Sequence, residues 1–114
     1  MREDGKIDYI EFPGGDLTAT KRFYGAAFGW SFQDYGPSYA AFEAEGTDGG
    51  FQADAAQARP APLVILYAGD LDAMLARVEG AGGVIVRAIH AFPGGRRFHF
   101  RDPSGNELAV WSEA

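Results

Sequence analysis

Apolar and polar positions divide the chain into short segments that follow one another in a repeated order. β-Forming residues from Lys6 to Phe12 predict a strand, which Pro13-Gly14-Gly15 ends. Leu17, Thr20, Tyr24 and Phe28 then recur at helical spacing with Phe23 beside them. Asp16 stands where its carboxylate can cap that helix, and Gly29 stands where a positive φ can stop it. Trp30 to Tyr35 and Ser38 to Ala44 read as strands joined at Gly36-Pro37, and a short strand is expected around Phe51-Gln52. After an Ala/Pro-rich connector the order restarts. Leu63 to Tyr67 reads as a buried strand, and Asp70 caps a helix striped by Leu71, Met74, Leu75 and Val78. Gly82-Gly83 is expected to end that helix, and strands follow at Val84 to Ile89, Arg96 to Arg101 and Glu107 to Trp111. Asp102-Pro103-Ser104-Gly105 has the composition of a turn.

The restart is specific: Gly15-Asp16-Leu17 reappears as Gly69-Asp70-Leu71, each after a strand and before a helix that ends in glycine. Cap, stripe and stop repeat together, so the chain reads as a duplicated unit. Two copies are too few for a solenoid. The expected fold is α+β, with two βαβββ modules whose curved mixed sheets surround a cup. Module one covers about 6–52, a connector 53–62 and module two about 63–112, all within one domain of residues 1–114.

Composition narrows the partners. A length of 114 residues suits one domain with its own core. The net charge of −6 argues against nucleic acid or an acidic membrane surface as partner. Cysteine is absent, which removes disulfide and thiolate chemistry. No signal peptide or membrane-spanning run is visible, so a cytoplasmic location is expected.

Three segments carry a family likeness: IDYIEFPGGDLTATKRFYGAAFGW, GDLDAML with GAGGVIV, and RDPSGNELAVW. Together they resemble the vicinal oxygen chelate superfamily, which includes glyoxalase I, bleomycin-resistance proteins and extradiol dioxygenases. The resemblance covers about Lys6 to Ser112. It implies the paired-module fold and, in metal-using members, four ligand positions on the first, fourth, fifth and eighth strands. The first-strand position falls on Tyr9, its second-half equivalent on Leu63 and the eighth-strand position on Ala109. Gln52 is the nearest candidate for the fourth strand. Leu and Ala offer no donor and a neutral phenol is a weak one. No metal and no other cofactor is therefore expected.

Strand alternation selects the residues that face the cup. Tyr9 brings Ile7 and Glu11 with it, Leu63 brings Ile65 and Tyr67, and Ala109 brings Glu107 and Trp111. A three-residue bulged hairpin would set His99 opposite Ala109, and the resemblance also implies that this position faces the cup, which places Arg97 and His99 inside and turns Phe98 and Phe100 toward the helix. The expected ligand-binding set is Tyr9, Glu11, Tyr67, Arg97, His99 and Trp111. Aromatic walls suit planar or cationic ligands, and Arg97 suits a carboxylate or phosphate. Glu11 and His99 are the candidates for proton transfer, and His90 reads as a surface residue. The expected function is metal-independent binding of a small organic molecule, resembling bleomycin-resistance members. The alternative is a lyase or isomerase of the lactoylglutathione lyase kind, metal-free or with a rearranged site of Glu11, His99 and Glu107. A module with a vestigial, filled cup is a third reading. Homodimerisation is expected from the resemblance.

Overall fold

The computed structural model describes residues 2–42, 47–57 and 60–114. Its contacts divide into two units, one of Tyr9–Leu63 and one that joins residues up to Asp8 with Val64–Ala114.

The first unit is built from β1 (Ile7–Pro13, whose first two residues group with the other unit), α1 (Leu17–Phe28), β2 (Phe32–Asp34), β3 (Tyr39–Phe42) and β4 (Asp48–Gln52). Its strands run in the order β2-β3-β4-β1, parallel between β1 and β4 and antiparallel elsewhere. Asp16 caps α1 through a 3.1 Å bond from the Ala19 amide, and Gly29 ends the helix at φ 75°. The interior is aromatic. Phe12 stacks on Phe51 at 5.4 Å, Trp30 lies 4.5 Å from Phe42, and Tyr24 lies 5.2 Å from Phe51.

The second unit repeats the plan with β5 (Leu63–Tyr67), α2 (Leu71–Gly80), β6 (Val84–Phe92), β7 (Gly95–Arg101) and β8 (Glu107–Ser112), in the order β5-β8-β7-β6. β5 and β8 are parallel and the other pairs antiparallel. Asp70 caps α2 as Asp16 caps α1, again at 3.1 Å. Ala68, Leu71, Phe98 and Val110 form a core, with Met74, Leu75, Val78, Ile85, Ile89 and Phe100 packed against it. Both units are βαβββ, and the architecture is α+β.

Several boundaries differ from the sequence reading, among them β2, confined to Phe32–Asp34 where Trp30 to Tyr35 is expected. β4 starts at Asp48, ahead of the expected strand, because the pair Gly49-Gly50 is extended despite its low strand propensity. α2 stops at Gly80 with Ala81 as its cap, so Gly82, at φ 103°, follows the end of the helix. β6 runs three residues beyond Ile89, carried through register shifts between Ile85 and Arg87 and between Arg87 and His90. The expected end of the third strand, at Ala44, lies outside the described residues, as does part of the connector.

Candidate functional site

In the second unit the face of the sheet is set by Phe98, Val110 and Leu66, which point at α2. Strand alternation sends their neighbours to the opposite side. His99 is paired with Ala109, Arg97 with Trp111, and Tyr67 with Trp111. Arg97, His99, Tyr67 and Trp111 therefore share the face turned away from α2.

His99 is fully buried, with its Nδ1 at 2.8 Å from Glu107 Oε2. A carboxylate in that position accepts the Nδ1 proton, so a neutral ring carries its lone pair on Nε2. His90, opposite Arg97 in the ladder, brings its ring to 5.8 Å from that of His99. It shares this face and is partly exposed. The guanidinium of Arg97 lies 5.7 Å from the Phe92 ring.

Trp111 has a more elaborate setting. Tyr67 meets it edge to face at 5.7 Å, and Phe92 lies 6.2 Å away. Its indole N–H donates to Asp8 Oδ2 at 2.9 Å. The guanidinium of Arg2 sits over its ring at 5.0 Å while Arg2 Nε reaches Asp8 Oδ2 at 3.3 Å. The Tyr67 hydroxyl donates to Glu113, which raises the phenol's pKa and lowers that of the carboxyl.

In the first unit Tyr9 and Glu11 form a cluster with Tyr39, which the sequence reading did not name. Tyr39 donates to Glu11 Oε2 at 3.0 Å, and the Tyr9 and Tyr39 hydroxyl oxygens are 2.7 Å apart. The Tyr39 proton is committed to the carboxylate, so Tyr9 is the donor between the two phenols. Burial pushes the Tyr9 hydroxyl up to about 12, and burial together with the Glu11 charge pushes Tyr39 higher still. Gly50 makes the cluster fit: a Cβ there would lie 2.5 Å from the Tyr39 hydroxyl and 2.6 Å from that of Tyr9.

Asp8, Arg2, Tyr39, His90 and Phe92 are the residues that sequence reasoning missed. The alternation that selected Tyr9 and Glu11 excluded Asp8 by parity, and Tyr39 is thirty positions from its partner Tyr9.

The profile of the Glyoxalase/Bleomycin resistance protein/Dioxygenase superfamily matches residues 6–110, nearly the whole chain. The chain belongs to this superfamily. Solved structures agree on the fold. An NAD-dependent benzaldehyde dehydrogenase from Legionella pneumophila superposes with a TM-score of 0.76 at 14% identity, covering 91% of this chain and 96% of its own. A methylmalonyl-CoA epimerase from Mycobacterium tuberculosis gives 0.75 at 15%, covering 100% and 91%. A Mn(II)-bound glyoxalase from Novosphingobium aromaticivorans gives 0.70 at 25% identity, over 99% of this chain and 40% of that one, so this chain spans less than half of that protein. A search of the curated proteins finds no match.

The resemblance assigns the ligand positions of metal-using members to Tyr9, Gln52, Leu63 and Ala109. Leu63 and Ala109 are buried and have no donor atom. Tyr9 is bonded to Tyr39, and Gln52 Oε1 accepts from the Asp54 amide in its own connector. Among the described residues, no three His, Asp or Glu side chains converge as a metal cage would need.

Proposed function

We propose that this superfamily member binds a small organic molecule without the metal site of its metal-using relatives. The observation that carries the reading is the pair of donorless side chains, Leu63 and Ala109, at two of the inherited ligand positions. The Novosphingobium glyoxalase is Mn(II)-bound; a chain with these side chains has lost two of four attachment points, and a divalent ion needs such donors to compete with water. What remains suits an organic ligand. In the second unit Tyr67 and Trp111 supply aromatic surface, and Arg97 and His99 supply polar anchors. Tyr9 and Glu11 supply hydroxyl and carboxylate groups in the first.

Elemental analysis of protein purified without chelator tests the reading, together with mass spectrometry of small molecules released on denaturation. Substoichiometric Zn, Ni, Fe and Mn is the expected result. One equivalent of any of them overturns it. In this reading the protein is a two-fold homodimer, and light scattering at micromolar concentration reads its mass.

The His99–Glu107 pair favours a second reading, a lyase or isomerase. A carboxylate that fixes one imidazole nitrogen prepares the other for proton transfer. An assay for lactoylglutathione formation in the presence of chelator distinguishes the two. Turnover that disappears in His99→Gln supports the enzyme, and no turnover supports the binding protein.

A further inference from the structure

The setting of Trp111 contains a cation already in place. Arg2 lies with its Cζ 5.0 Å from the centre of the indole and its Nε 3.3 Å from Asp8 Oδ2. Asp8 also accepts the indole N–H at 2.9 Å, so one carboxylate both orients the ring and faces the charge above it. The surroundings are acidic. Asp4 Oδ1 accepts the Gly69 amide at 2.8 Å, and Glu113 accepts from Tyr67, whose ring meets Trp111 edge to face. Both Glu113 and the Tyr67 phenol feel the Arg2 charge. An aromatic face with a carboxylate at its edge is the chemistry that recognises organic cations. The neighbouring cation in the ladder, Arg97, has its guanidinium at the Phe92 ring.

The hold on Arg2 is light. Its side chain is 47% exposed and that of Asp8 20% exposed. An ion pair of this kind, open to water, contributes little by itself.

We infer that Trp111 and Asp8 form a subsite for an organic cation, an amidinium, guanidinium or ammonium group, which Arg2 occupies as an internal stand-in. Arg2 then competes with the incoming cation, and removing it strengthens binding. The inference rests on the proposal that this face binds small molecules, and it adds the charge of the ligand and the group that guards its place.

Benzamidine is the probe and benzamide its neutral counterpart. The indole N–H signal of Trp111 in a proton–nitrogen correlation spectrum is the readout. Benzamidine is expected to move that signal, and benzamide is not. Arg2→Ala is expected to tighten benzamidine by about twofold to fivefold. Asp8→Asn keeps an oxygen for the indole N–H and removes the charge; it is expected to weaken benzamidine by about tenfold. Arg2→Gln keeps the length of the side chain and separates loss of charge from loss of packing, and its affinity is expected to follow that of Arg2→Ala. Equal responses to the two probes overturn the inference, as does an unchanged benzamidine affinity in Arg2→Ala. Silence toward both probes in Arg2→Ala overturns the subsite alone, because the metal analysis tests the wider reading independently.

Discussion

Leu17 and Leu71 hold the same place in the two halves, directly after an aspartate cap, yet Leu71 is 1% exposed and Leu17 is only partly covered. The difference extends along the helices. α1 buries none of its residues fully and leaves Phe23 and Phe28 58% and 63% exposed, while α2 sets Leu71 into a core of Ala68, Phe98 and Val110. The first interior is made of rings, and the second is mostly aliphatic. Both grow from the same cap geometry and the same strand order. Backbone chemistry at the turns and caps thus sets the frame, and the frame accepts two kinds of filling. The faces turned away from the helices diverge further, toward a phenol–carboxylate cluster in one half and a cationic and aromatic array in the other.

The matched leucines give the largest expected effect. Leu71→Ala should cost about 2–5 kcal/mol, as truncation of a fully buried leucine does, and Leu17→Ala about half as much. Urea denaturation of the two variants measures this; equal losses would show that the two helices are seated alike.

Alkaline pH separates the halves by a smaller amount. The Tyr9 hydroxyl is pushed from 10.0 up to about 12, first by burial. A phenol with a raised folded-state pKa adds stability that is fully present below its unfolded value and is lost as pH climbs through the folded one. The window is therefore pH 10.0 to about 12. Wild type should lose on the order of 1–2 kcal/mol more across it than Tyr9→Phe does. Tyr67→Phe, in an exposed setting, should change the slope less.

The caps give the smallest difference. Asp16→Ala and Asp70→Ala should each cost about 1 kcal/mol, because both aspartates receive the same 3.1 Å amide bond. Thermal melts of the two variants should agree. A larger loss at Asp70 would mean that the tighter core of α2 amplifies its cap.

The legible parts of the fold were those fixed by short-range rules. Asp16, Gly29 and Asp70 act through groups within five residues of themselves, so spacing alone exposes them. The placing of His99 opposite Ala109 follows from alternation and one turn, and Asp102 closes that turn by accepting from the Ser104 and Asn106 amides. The contact of the His90 ring with His99 was not legible, because two irregularities in β6 shift the register there and no local pattern announces them. Tyr39 was missed because its partners Tyr9 and Glu11 lie on another strand, and Arg2 because a charged residue near the start of the segment looks like any solvated one.

β4 combines two demands at adjacent positions. A Cβ on Gly49 would lie 2.5 Å from the Phe42 ring, and one on Gly50 would strike the Tyr39 and Tyr9 hydroxyls. Layers on both sides of this strand close directly onto the main chain. For anyone redirecting the protein toward a new ligand, these two residues are fixed points. A change at His99 on β7 would instead have to replace its bond to Glu107 in a fully buried setting. Two positions that carry no side chain leave an engineer little choice.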